Sequence, residues 1–340
     1  MTFVPKHRCH LRRTPSWGRI CLGAFSLFSL LLILCRSEIA IQYITRGLLL
    51  CAKTVIPALF PFMVLSEIIV TGRFLERPLG RVTRPLGRLL SLPSAGCTAV
   101  ILGLLCGFPV GAKCATLAFR EGILSKSEAE RTVAIANAPS SAFLISAVGV
   151  TLWENRAFGT ALYLCVLCSS LSVGILLARL AKKEEKAEEK CDTVCSFSPR
   201  FEARLFTDAI ASATHSILLV CAYVIFFSAL VGTLGTLLEG SRLSGEGISA
   251  LFALFELSSG VSRIATLGNT LHAAILTALA VGWSGLSVHC QVLSICDGSG
   301  ISLSPYLLAR ALSAILCALL FGILIFFCPE LTVPAVLCKS

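Results

Sequence analysis

An apolar run broken in its middle limits this chain most. Ile101-Leu-Gly-Leu-Leu-Cys-Gly-Phe-Pro-Val-Gly-Ala-Lys113 carries glycine and proline where a membrane-spanning helix is smooth. Backbone freed by such a break cannot face lipid; it must be buried in protein or line a wet path. The interruption returns in the second half, at Phe255-Glu-Leu-Ser-Ser-Gly260 and Trp283-Ser-Gly-Leu-Ser-Val-His-Cys-Gln291. Secondary transporters build midplane binding sites from paired interrupted helices of this kind.

Composition sets the solvent. Hydrophobic residues make up 56% of the 340 and charged residues only 14%, against about 25% charged in soluble domains. A polytopic membrane protein follows. The net charge of +10 does not indicate nucleic acid, because the basic residues lie in short blocks beside apolar runs, as membrane topology requires. The 17 cysteines are odd in number and mostly sit in apolar stretches, which excludes a complete disulfide framework and reads them as small hydrophobes. Cys191 and Cys195 have no nearby histidine, so no metal site is expected there.

Lys6, Arg8, Arg12, Arg13 and Arg19 precede an apolar stretch from Ile20 to Cys35 with no small-x-small cleavage site after it. The expectation is an uncleaved first span with a cytoplasmic N-terminus. Two further basic segments, Arg73 to Arg88 and Arg179 to Arg204, also read as cytoplasmic. Pro78 and Pro85 argue against one continuous helix through the first of these, leaving a loop that contacts headgroups. Three uncharged stretches lie between the two segments: Ser91 to Ala112, Thr132 to Trp153 and Ala157 to Ala178. Two cytoplasmic ends need an even number of crossings. The first stretch, with only about ten uninterrupted helical residues, is therefore read as a re-entrant hairpin.

Ser125-Lys-Ser-Glu128 and Ser127-Glu-Ala-Glu130 are overlapping capping boxes that start a helix. Pro139 breaks that helix, and Ala142 to Trp153 completes the crossing. The second half repeats the order: a span from Ala209 to Leu238, a hairpin over Ile248 to Leu267 around Glu256, a crossing over Leu271 to Cys296 broken at Ser284-Gly285, and a last span from Tyr306 to Cys328. The expected fold is all-α, with about seven crossings and two re-entrant hairpins as inverted repeats. Its parts are a basic tail and first span (1–36), a first membrane repeat (37–180), a charged cytoplasmic linker (181–204) and a second repeat (205–340).

Polar groups beside or inside apolar segments are costly unless paired or facing a cavity. Lys113, Glu256, Asn269, His289 and Gln291 are such groups. Lys113 reads equally as an attractor of anionic or polar solute and as a side chain snorkelling to the interface. Glu256, at a helix break before Ser258, suits a coupling proton or a ligand, or else a structural hydrogen bond across the hairpin. Glu67 reads as the cap of an interfacial helix end. Asn137, Ser140 and Ser141 flank Pro139, so the second half-helix would present free amides at its N-terminus. Ser284, Gly285, Ser287, His289 and Gln291 form a corresponding set. The binding residues expected are Phe108, Pro109, Gly111, Lys113, Asn137, Glu256, Ser258, Ser287, His289 and Gln291, although each Ser or Gly alone also fits close helix packing.

Gly107 to Lys113 lacks the spacing of a phosphate loop, and no hydrolase or metalloprotease motif occurs. No catalytic residue, cofactor or metal is expected. The expected partners are membrane lipid and a small polar solute, with no nucleic acid; a homo-oligomer is left open.

Gly103 to Lys113, Glu128-Ala-Glu-Arg131 with Asn137, Val148-Gly149, Gly285 to Leu293 and Tyr306-Leu-Leu-Ala-Arg310 resemble the sporulation integral membrane proteins of YlbJ type, in the nucleoside-recognition, or Gate, group. The similarity spans roughly Leu48 to Phe327. It implies a multi-pass cell-membrane protein in the mother cell around the forespore, serving spore cortex formation. Transport of a nucleoside-like solute or cell-wall precursor follows by analogy only. The alternative is a non-transporting scaffold or assembly factor for spore envelope proteins, recruiting them through its cytoplasmic loops.

Overall fold

The computed structural model describes residues 17–72, 80–181, 202–238, 244–268 and 270–332. The N-terminal tail through Arg13, Arg73, Arg77, most of the charged linker with Cys191 and Cys195, and Asn269 lie outside these residues. The described residues are helical throughout, with no strand among them. Helix α1 (Trp17–Cys35) turns through 102° into α2 (Ser37–Leu50). A π-helical turn at Cys51–Val55 then leads into α3 (Ile56–Thr71). The mixed segment before Lys53 is thus helical too, and the wider turn precedes Pro57 and Pro61, each of which removes a backbone donor.

The second arginine-bearing segment differs from expectation. Gly80–Leu90 is a helix, α4, with Pro85 inside it. Starting after Pro78, this helix loses a single bond at Pro85. In return it buries Thr83 and Leu90 and half-buries Leu86 and Gly87, an i, i+3, i+4, i+7 stripe, while Arg81, Arg84 and Arg88 stay exposed. An amphipathic helix replaces the loop.

Helices α5 (Ser94–Cys106) and α6 (Val110–Arg120) form a hairpin. A Cβ added at Gly103 would lie 2.8 Å from the Gly111 Cα. Added to Gly111, it would come within 2.3 Å of the Ala136 carbonyl oxygen on α7 (Lys126–Ala136). Only glycine permits this three-helix approach. Ser125 and Glu128 form the first capping box at the start of α7, but Glu130 does not form the second. Its Oε1 instead accepts from the Ser302 backbone N–H at 2.9 Å, and Arg120 donates to the Asp297 carbonyl at 3.0 Å. These exposed contacts tie the two halves together at one end.

After Ala136 the chain breaks and resumes as a π-helical segment, Phe143–Leu152, in place of the expected α-helix. Helix α8 (Arg156–Ala181) packs back on it so closely that a Cβ on Gly149 would fall 2.7 Å from the Gly159 Cα. The second half opens with α9 (Glu202–Leu238). A second hairpin follows, α10 (Gly245–Phe255) and α11 (Leu257–Ala265), then the broken helix α12 (Leu271–Trp283) and α13 (Leu286–Cys296), and finally α14 (Ser304–Phe327).

Both halves therefore run hairpin, broken helix, long helix. Their mutual contacts exchange partners as a two-fold relation demands: α6 packs on α13 and α11 on the π segment, α7 packs on α14 and α12 on α8, and α8 packs on α14. Among the described residues four helices are long and apolar enough to cross a membrane, or six if two bent pairs count as spans. The expected seven counted, beside these four, the stretches Ile20 to Cys35, Thr54 to Thr71 and Thr132 to Trp153, the last being α7 with its π-helical continuation, and left Ser91 to Ala112 as a hairpin rather than a crossing.

The two ends of the first hairpin meet, since Leu124 lies against Gly96 and Arg131 donates to the Ser91 carbonyl at 3.1 Å. Exposed Ser94 and Lys126 flank these ends. In a cysteine-depleted background, Ser94→Cys and Lys126→Cys should react with an impermeant maleimide from the same face of intact cells or vesicles. Labelling from opposite faces would show that α5 crosses the bilayer.

Candidate functional site

Each hairpin tip is seated in the break of the following helix. In the first half the Phe108 N–H donates to the Ala138 carbonyl at 2.9 Å. Gly107, at φ +87°, lies so close that an added Cβ would come 2.6 Å from the Ser140 nitrogen. In the second half Gly285, at φ +82°, lies against the Leu257 nitrogen and the Ala253 and Phe255 carbonyls. At the first break a released carbonyl is thus met by the tip's own N–H.

Asn137 is fully buried. Its Oδ1 accepts from the Ala112 N–H at 3.2 Å, and its Nδ2 donates to the Val133 carbonyl at 2.6 Å. The side chain thereby satisfies one of the donors at the start of α6 that no helix bond reaches. Across the break, Ser140 Oγ accepts from the Phe143 N–H at 3.2 Å. The expectation of free amides at this N-terminus is corrected here, because the residue beside Pro139 caps one itself. Pro109 is buried, and half-buried Phe108 packs on two core clusters at once. Gly111 is accounted for by its approach to Ala136.

Lys113 neither snorkels nor stands alone. Its Nζ lies 2.6 Å from Glu67 Oε2, joining α6 to α3, with side-chain exposures of 13% and 12%. Glu67 is likewise a partner in an ion pair rather than the cap of an interfacial helix end.

Glu256 is 2% exposed and caps α11. Oε1 accepts from the Ser258 N–H at 3.0 Å and Oε2 from the Ser259 N–H at 2.6 Å. Both oxygens thus hold the N-terminus of its own hairpin arm, where the helix dipole favours negative charge. On α13, buried Gln291 donates from Nε2 to Ser287 Oγ at 3.4 Å, while its Oε1 has no partner. His289 Nδ1 lies 2.9 Å from the Tyr306 hydroxyl, its ring meets Trp283 edge to face at 4.4 Å, and its Nε2 has no partner. Helices α6 and α13 lie side by side, with Ala112 and Ala115 packed with Val288 and Val292.

The structure thus gathers Phe108, Pro109, Gly111, Lys113 and Asn137 around the first break, and Glu256 and Ser258 against the second. Ser287, His289 and Gln291 lie on the helix leaving the second break. Sequence reasoning missed Arg310. It is 1% exposed on α14, and its Nε and Nη1 have no hydrogen-bond partner. The signal was present, because Arg310 is the one charged residue in the expected span Tyr306 to Cys328.

No protein-family model matches the chain, and no solved structure does. A relative does match along most of its length. The sporulation integral membrane protein YlbJ of Bacillus subtilis (strain 168) is 26% identical over 330 residues, covering 88% of this chain and 81% of its own. Over that stretch the chain is similar to the YlbJ protein. The stretch matched is long enough to take in both hairpins and both breaks, so the resemblance is not confined to the short motifs.

The Lys113–Glu67 pair makes a prediction. Lys113→Met or Glu67→Gln alone leaves a poorly solvated charge and should lower the detergent melting temperature. The double variant should recover part of the loss, with a coupling of about 1–3 kcal/mol. Strict additivity in the double-mutant cycle would mean that the pair contributes nothing.

Proposed function

We propose that this chain is a sporulation-associated integral membrane protein that moves a small polar solute by alternating access. The sporulation assignment rests on the similarity to the Bacillus subtilis protein of that name. The observation that supports transport is the paired placement of a hairpin tip in a helix break, once in each half, with the exchanged contacts between halves. Inverted repeats with discontinuous helices place substrate sites at such junctions, and the two halves rock around them.

On this reading Phe108 and Pro109 form one wall of the site, and Ser287, His289 and Gln291 supply its polar lining. Asn137 and Glu256 hold the hairpin arms in position. The solute is nucleoside-like or a cell-wall precursor needed for the spore cortex, in keeping with the likeness to the nucleoside-recognition group. The protein sits in the mother-cell membrane with its N-terminus in the cytoplasm, and no catalytic residue is assigned. Exposed Arg81, Arg84 and Arg88 on α4 favour a second reading, a scaffold that recruits envelope proteins at the cytoplasmic surface.

Thermal shifts of the purified chain across nucleosides, nucleotides, amino acids and muropeptide precursors test the first reading. One class should raise the melting temperature, and Glu256→Gln, which replaces the carboxylate that fixes the second tip, should weaken that response at least about tenfold, roughly 1.4 kcal/mol. In a sporulating host, Glu256→Ala and His289→Ala should impair spores more than removal of charge at Arg81, Arg84 and Arg88. The reverse order would establish the scaffold.

A further inference from the structure

We propose that Arg310 binds the anionic group of the transported solute, so that the solute is an oxyanion, a carboxylate or a phosphate ester, rather than a neutral nucleoside. This rests on the transporter reading and narrows its substrate class. A guanidinium carries five N–H donors and keeps its charge. Among the described residues the acceptors for Arg310 are hydroxyls at the long end of hydrogen bonding: Nη2 donates to Ser170 Oγ at 3.3 Å and to Ser313 Oγ at 3.4 Å. Nε and Nη1 donate to nothing. No carboxylate pairs with it among the described residues. A buried cation without a counter-ion is among the costliest arrangements a protein interior can hold.

Its setting is that of a site. Arg310 and Tyr306 are four residues apart on the buried face of α14, and Ser313 is one turn further on. Tyr306 carries His289, whose Nε2 is also unpartnered, and Arg310 is within electrostatic reach of both. Ser170 comes from α8, and the neighbouring Ala309 packs with Ala134 of α7 and Val173 of α8. The cation therefore stands where the last helix of the second half meets the broken and long helices of the first. Its two hydroxyl partners come one from each half, Ser170 from α8 and Ser313 from α14. The missing partner is a small soluble anion that brings its own acceptors, and a planar carboxylate or a phosphate matches the guanidinium fork.

The experiment compares wild type with Arg310→Met and Arg310→Lys as full chains in detergent. The probes are inorganic phosphate, citrate, and the matched pair uridine and uridine monophosphate. A residue kept for binding at the expense of stability predicts that Arg310→Met without probe melts at or above the wild-type temperature. It also predicts that at least one anion stabilises wild type, that uridine does not, and that the anion response falls at least tenfold in Arg310→Met and less in Arg310→Lys. A lower melting temperature for Arg310→Met without probe would make Arg310 a structural residue and overturn the proposal, as would no response to any of the anions. Binding of uridine with equal affinity in wild type and Arg310→Met would overturn it too, while leaving the transporter reading in place.

Discussion

The backbone bond from Phe108 to the Ala138 carbonyl expresses the constraint on which the rest depends. A helix broken inside an apolar bundle frees amides and carbonyls that water cannot reach, each costing several kcal/mol on the order of an unmade bond in hydrocarbon. Such a break persists only if another piece of protein brings matching groups. In the first half that piece is the hairpin tip, and in the second the Trp283 indole N–H donates to the Leu254 carbonyl of the hairpin at 3.1 Å. In the first half hairpin and broken helix are therefore one unit energetically, and the glycines at Gly103, Gly107 and Gly111 are the price of bringing the backbones this close.

The two halves meet the same demand with different chemistry. In the first, a neutral amide, Asn137, reaches from the broken helix to the hairpin arm and supplies an acceptor for Ala112. In the second, the hairpin arm is capped by its own carboxylate, Glu256. The first half then carries a half-buried ion pair beside its tip, between Lys113 and Glu67, and the second carries Arg310 with no counter-ion among the described residues. A common backbone plan thus supports an asymmetric distribution of charge.

The breaks were legible in the sequence because they are backbone chemistry: Pro109, Pro139 and the Ser284-Gly285 pair forbid a smooth helix wherever they fall. The order of elements in each half followed from the same punctuation. The side-chain partners were not legible. Lys113 and Glu67 belong to helices with no sequence relation, so their pairing needs the tertiary fold. Arg310 looked like part of a motif rather than a site, because an unpaired cation is recognised only once its neighbours are known. Helix α4 was misjudged because Pro85 is a strong local signal, whereas the stripe of Thr83, Leu86, Gly87 and Leu90 gains its weight only from the core it packs on. Ser140 was read as leaving amides free when its own hydroxyl caps one.

The contacts of Arg120 with the Asp297 carbonyl and of Glu130 with the Ser302 amide join the halves through exposed polar groups. Each is worth about 0.5–1.5 kcal/mol at most, because water offers the same groups an equivalent bond when they part. The glycine-lined contacts within each half have no such substitute, so separating them would open voids. The molecule is consequently stiff inside each half and loosely clasped at this end. If the halves shift against each other, this seam yields first, and it can do so without unfolding any helix.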